Sequence, residues 1–376
     1  MSESQSSPGT IHTVAWSQVF PWLILARAAR VSMMVRVLAL AVLGVVATHA
    51  GWRLVEEAFG QGTAEGQLTE MAHERPTLLE DEPPLASTWL DAFANAYPIV
   101  ERQSYSGPLV QGWAWAIQPL TRQLQSDSFA QWFRLALCGG WTIAVWALFG
   151  GAIARITAVR LTREESLGPV AALLSAARFW TTTAGAPAVA YLGILLLAAP
   201  LILAGLALRS SVLGFFTGLL WPLALVGGWA VLMIAVGLVF GWPLMWAAAA
   251  VERTDAFDAL SRAYAYVLQR PLQLAFFIGI ASGLGLLAQF IVAAIVSGAV
   301  WATDWAVSMG AGQTLTGALL VPTDEPSRLG WFDSGARSGI QFWKSAALGV
   351  VAAFPLAYVW PASTAIYLLL RRHVDA

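Results

Sequence analysis

The chain has 376 residues, of which 58% are hydrophobic and only 11% are charged, with a formal net charge of −1. A soluble domain carries about 25% charged residues, so this composition cannot cover a water-facing surface of ordinary polarity. That excludes a soluble enzyme, a disordered chain and a nucleic-acid binder, while Cys138 as the single cysteine excludes a disulfide scaffold; a polytopic, all-α integral membrane protein remains.

Residues 1–12 are polar and Ser-rich and read as a disordered tail. Over 13–35, Trp16, Phe20, Pro21, Trp22 and Leu23 are followed by Arg27 and Arg30, the pattern of an amphipathic helix lying in the interface, aromatic face in lipid. The first span, 36–54, contains the 16 uncharged residues Val37–Trp52, flanked by Arg36 and Arg53, whose long stems reach the headgroups. A cleaved signal within residues 1–50 competes with this reading and leaves five spans, although its leader is long.

The insertion 55–131 is acidic, with Glu56, Glu57, Glu65, Glu70, Glu74, Glu80, Asp81, Glu82, Asp91, Glu101 and Asp127 against Arg75, Arg102 and Arg122. Its first half is rich in Gly and Pro. Its second half predicts short amphipathic helices over 86–97 and 108–124, with Trp113 and Trp115 in the outer headgroup region.

A crossing of about 30 Å needs about 20 apolar residues. Arg134 and Arg155 enclose 20 uncharged residues, Arg178 and Arg209 enclose 30, and Lys344 and Arg371 enclose 26. Two runs are longer: 42 uncharged residues over Ser210–Val251, about 63 Å of helix, and 33 over Pro271–Thr303, about 50 Å. The second fits one tilted helix with an interfacial extension.

An internal repeat decides the first. Gly139-Gly140-Trp141 recurs as Gly227-Gly228-Trp229, Glu165 is matched by Glu252, and Val170, Ala172, Leu173, Ala176 and Phe179 by Phe257, Ala259, Leu260, Ala263 and Tyr266. The matched positions share one face of a helix. Each unit reads as span, amphipathic elbow, span: repeat 1 over 132–208 and repeat 2 over 209–303. Two-span units repeat in parallel, so 210–223 is re-entrant or interfacial, broken near Trp221-Pro222, and 224–250 crosses. A loop, 304–343, precedes the sixth span, 344–370, and a tail, 371–376.

The positive-inside rule places Arg27, Arg30, Arg36, Arg155, Arg160, Arg163, Arg178, Arg253, Arg262, Arg270, Arg371 and Arg372 on the cytoplasmic side. Both termini then lie in the cytoplasm of a bacterial inner membrane, and the acidic insertion lies outside.

The second elbow is the most informative segment. Phe257, Leu260, Tyr264 and Val267 form one stripe, and Asp255, Asp258 and Arg262 the other, with Asp258 and Arg262 an i,i+4 pair. The segment around 252–267 resembles an elbow of uncharacterised bacterial polytopic membrane proteins, and is similar to the membrane domain attached to some glycerophosphodiester phosphodiesterases. The resemblance implies a membrane accessory or transport-like module. The catalytic domain has no counterpart here, so no catalytic residue carries over. The elbow residues Glu165, Phe179, Glu252, Asp255, Phe257, Asp258, Arg262, Tyr264 and Tyr266 are expected to be structural.

Chemistry-bearing motifs are missing: no nucleophile elbow, Walker loop or His-Glu-x-x-His occurs. Cys138 sits in an apolar run and reads as packing. Gln289 is the candidate buried polar residue of the fifth span, a role met by an interhelical hydrogen bond. The Trp-Pro and Phe-Pro steps at 221–222, 242–243, 360–361 and 354–355 read as packed kinks, and Gly214–Gly218 and Gly279–Gly283 as close helix contacts, within or between chains. Most tryptophans are expected in interfacial belts. The expectation is a non-enzymatic accessory or scaffold protein without metal or cofactor, partnered by the bilayer and by another membrane protein but not by nucleic acid. The alternative is a transporter or channel-like permease with its path between the repeats.

Overall fold

The computed structural model describes residues 20–59, 107–123, 126, 128–320 and 330–372, leaving the N-terminal tail, the 86–97 segment and the last four residues outside the description. Among the described residues the fold is all helical, in chain order α1 (Leu23–Ser32), α2 (Val35–Phe59), α3 (Gly107–Gln123), α4 (Phe129–Thr162), α5 (Pro169–Arg178), α6 (Trp180–Ala207), α7 (Ser211–Leu219), α8 (Trp221–Glu252), α9 (Ala256–Gln269), α10 (Pro271–Leu319) and α11 (Trp331–Arg372). Six of them, α2, α4, α6, α8, α10 and α11, are long and apolar enough to cross a bilayer. The protein is an integral membrane protein by that criterion.

The C-terminal half of α11 is the hub. From Phe354 to Leu370 every residue is buried, and α1, α2, α3, α4, α8 and α10 all pack on this helix. α1 does not lie with its apolar face in lipid. Leu25 and Ala28 are fully buried in the core, while Arg27 and Arg30 point outward as the sequence predicts. A protein surface is simply the nearer apolar partner for its aliphatic stripe.

The helix expected over 108–124 forms, and it packs into the bundle. α3 is inserted against α4, α10 and α11. Gly112 makes this possible: a Cβ there would lie 2.4 Å from the backbone oxygen of Pro355. Without hydrophobic attraction between helices in lipid, small residues that admit backbone contact set the interfaces. Gly150, facing Trp360 and Trp246, and Gly285, facing Tyr358 and Pro108, act alike. Gly218, Gly279 and Gly283 meet nothing within 4 Å, and Gly214 faces only the adjacent Leu208 turn, so within the chain those pairs are not contacts.

Inserted α3 completes an aromatic interior. Trp246 stacks on Trp360 at 4.7 Å between ring centroids, Trp360 on Trp146 at 5.7 Å, and Trp242 meets Trp246 edge to face at 5.4 Å. Trp113 joins at Trp242 and Trp115 at Trp146, and Trp115 continues to Trp52 and His49. Seven of the 19 tryptophans therefore cluster inside the bundle, a role that the expectation of belts did not assign to them. Offset and edge-to-face ring pairs add to the area each ring buries.

Two hairpins stand off this core. No residue from Tyr191 to Val236 is fully buried: the outer parts of α6 and α8, with α7 between them, pack on each other and turn the rest of their apolar surface outward, as lipid contact allows. α7 is a separate nine-residue helix ended before Trp221, too short to cross a bilayer by itself. The second hairpin corrects the loop expected over 304–343. α10 continues to Leu319, bending at Gly312 (φ 74°, ψ 164°), a conformation restricted to glycine, and α11 already begins at Trp331. Lys344 joins them, its Nζ 2.8 Å from Asp304 and 2.9 Å from the Leu320 carbonyl. Among the described residues, Asp304, Gly310 and Gly312 lie on α10, and Asp333, Gly335 and Gly339 on α11.

Candidate functional site

α9 follows α8 after a corner of three residues. Arg253 turns the chain in the left-handed region (φ 57°), and the Asp255 carboxylate caps α9 by accepting from the Asp258 N–H at 2.8 Å. The α4–α5 corner also uses a left-handed residue, Glu164 (φ 60°). That connection is longer, Arg163–Gly168, and leaves Glu165 exposed in the loop ahead of α5 rather than on an elbow helix.

The buried face of α9 differs from the stripe expected. Ala259, Ala263, Tyr266 and Val267 are buried, whereas Phe257 is 68% exposed. Ala263 packs on Gly241 of α8, and the Tyr264 ring lies over Gly237 with its hydroxyl donating to the Ile234 carbonyl at 2.6 Å. Burial pushes the Tyr264 phenol up to about 12. The helix thus folds back along the end of α8 instead of lying flat. Close approach selects alanine and glycine at the contact and leaves Phe257 on the outside, where lipid or a groove wall suits it.

Glu252, the last residue of α8, is the electrostatic centre. Its carboxylate accepts from Tyr367 and Arg262 and lies 3.3 Å from Arg371, so α8, α9 and α11 are tied at one point. Arg262 also grips Asp258, Nε to Oδ1 at 3.0 Å and to Oδ2 at 3.1 Å. That hydrogen bond pushes the guanidinium above its ordinary value, partial burial opposes it, and the Glu252 charge adds to the rise. Tyr266 completes the cluster edge to face with Tyr367 at 5.7 Å. Tyr367 was legible only as part of the sixth span and Arg371 only as a cytoplasmic arginine after it; the i,i+4 spacing between them was the available signal.

Beside this cluster a groove of about 620 Å³ opens between α6, α8 and α9. Val189, Gly193, Ile234 and Leu260 form its apolar walls, and Asp255, Phe257 and Ser261 its rim. Phe179 lies at the start of α6 under the Arg253 guanidinium, 5.8 Å from the ring centroid. Gln289 is fully buried in α10, away from the Glu252 cluster in sequence and on a different helix from its partners. Among the described residues no group of three His, Cys, Asp or Glu comes together.

The Glu252 cluster has a measurable consequence. Glu252→Ala leaves Arg262, Arg371 and Tyr367 without their shared acceptor. The arginine side chains are 38% and 41% exposed and recover part of their hydration, so the expected loss is about 2–3 kcal/mol rather than the full cost of a broken buried pair. Tyr367→Phe is expected to cost about 1–2 kcal/mol. Unfolding of the purified protein in a denaturing-detergent titration measures both, and equal stability of all three proteins would show that the cluster holds nothing together. Comparison with protein-family models, with curated proteins and with solved structures finds no match to this chain.

Proposed function

We propose that this chain is a non-enzymatic accessory or scaffold component of a membrane assembly or lipid-linked process, resident in a bacterial inner membrane with both termini cytoplasmic. The observation that carries the reading is the filled interior. Where a permease needs facing polar stripes, the described bundle has interlocked tryptophan rings and an inserted α3. A rigid core with the apolar hairpin of α6, α7 and α8 projecting from it suits presentation of a lipid-embedded surface to a partner. The elbow likeness to phosphodiesterase membrane domains, which also serve as modules attached to something else, agrees with this role.

The parallel-repeat organisation belongs to the same proposal. Long–short–long order occurs twice, each corner uses a left-handed residue, and the matched pairs Ala172/Ala176 and Ala259/Ala263 are all buried. In a Cys138→Ala background, cysteines at the exposed positions Ser166 and Ser261 are expected to react with a membrane-impermeant maleimide from the same, cytoplasmic side. Labelling from opposite sides removes the parallel repeat. Cysteines at the buried positions Ala147 and Thr364 are expected to stay unlabelled from both sides; reaction there reveals an aqueous path and favours the permease.

A further inference from the structure

The corners of α4–α5 and α8–α9 bring together cations that the fold does not neutralise. The Arg155 guanidinium, on α4, crosses to the last turn of α8 and donates to the Ala250 carbonyl at 2.7 Å. Three residues on, Arg253 caps α8, and Arg163 caps α4. The charges of Arg253 and Arg163 act repulsively on Arg155. Among the described residues, the ion pairs at this end of the bundle join Arg27 to Glu164, and Arg262 and Arg371 to the Glu252 cluster. None joins Arg155, Arg163 or Arg253 to a carboxylate. Three like charges at the seam of two helix ends are a cost unless an anion comes between them.

An apolar groove opens beside the same place, with Asp255, two residues after Arg253, on its rim. Phe179, beneath Arg253, shares a face of α6 with Ala186, Ala190 and Gly193 at intervals of seven, eleven and fourteen residues. Ala190 and Gly193 line the groove between α6, α8 and α9, about 16 Å and about 21 Å along the helix from Phe179. Asp255 at the groove rim turns one carboxylate oxygen to its own helix N-terminus. Exposed Val170 and Leu174 on α5 and Leu272 on α10 place the edge of the apolar layer at this level. Cations over an apolar channel match a phosphate joined to an acyl chain, and basic pockets between helix ends are where anionic lipids bind.

We propose that Arg155, Arg163 and Arg253 bind the phosphate of an anionic phospholipid at the seam of the two corners, with one acyl chain lying in the groove between α6, α8 and α9. The site stands whether the chain is a scaffold or a permease. The test uses the full chain in neutral detergent, titrated with phosphatidylglycerol, phosphatidylcholine or inorganic phosphate, with bound lipid read by native mass spectrometry and protection by thermal unfolding. Phosphatidylglycerol is expected to bind and protect where the other two do not. Arg163→Gln and Arg253→Asn are expected to weaken its binding about five-fold each, while lipid-free stability stays equal or rises slightly, since each relieves repulsion at the seam. Both positions are exposed, and asparagine tolerates the left-handed backbone at 253. Arg372→Gln, an exposed arginine at the end of α11, is the control and is expected to change nothing. Equal binding of the two lipids, equal protection by inorganic phosphate, or an equal loss in the Arg372 variant would each overturn the proposal.

Discussion

Trp360→Ala is expected to be the most damaging single truncation in this bundle. Trp360 is 1% exposed, lies between Trp246 and Trp146, and has Gly150 pressed against its ring, where a Cβ would come within 2.9 Å. Removing the indole empties a space that four helices enclose and cannot close, because α3, α4, α8 and α11 are held apart by the remaining rings. Truncations of buried aromatics of this kind cost about 3–5 kcal/mol. Trp360→Phe is expected to cost much less. It keeps a stacked ring, and it removes an indole N–H that reaches no protein acceptor, a burial that is itself unfavourable. Trp229→Ala, at a position 64% exposed on the projecting hairpin, is expected to stay within about 0.5 kcal/mol of the parent. Detergent-titration unfolding followed by near-ultraviolet circular dichroism measures all three. If the alanine variants at 360 and 229 behave alike, the aromatic cluster does not hold the bundle.

Lys344→Met is expected to act almost as strongly, but locally. Lys344 and Asp304 are 11% and 10% exposed, and their ion pair is the clasp between the extended ends of α10 and α11. Deleting the cation strands a buried carboxylate and leaves the Leu320 carbonyl only the longer bond from the Gln341 amide at 3.4 Å, which together costs about 3–5 kcal/mol. The pair itself is worth less than its breakage, since both ions left water to form it. Replacing both at once, Lys344→Met with Asp304→Leu, is therefore expected to recover most or all of the loss. Hydrogen exchange over 300–345 distinguishes the cases. The single variant opens this hairpin while exchange in α8 and in the second half of α11 stays slow, and the double variant closes it again. Slow exchange throughout the single variant would mean that the clasp is dispensable.

Much of the architecture was legible along the chain because a bilayer punishes charge at every position of a span. Uncharged runs, each bounded by arginine on at least one side, marked α2, α4, α6, α8, α10 and α11, and the matched alanines Ala172, Ala176, Ala259 and Ala263 marked the faces on which α5 and α9 pack. Those signals are local, or repeat at a short helical period. The Glu252, Asp258 and Arg262 part of the candidate site was also visible, since it falls on one helix and its corner.

What the tertiary structure alone decided are the meetings between distant segments. Nothing in the spacing of Trp52, Trp115, Trp146, Trp246 and Trp360 distinguishes a belt at the interface from a cluster inside, because an indole satisfies either surroundings. Only the packing of α3 into the bundle, through the backbone contact at Gly112, chose the interior. The same holds for Tyr367 and Arg371 at Glu252, and for Arg155 at the end of α8, residues brought together across 95 or more positions. Burial in lipid is read from composition; the partner inside the protein is chosen by which small residues let two backbones touch.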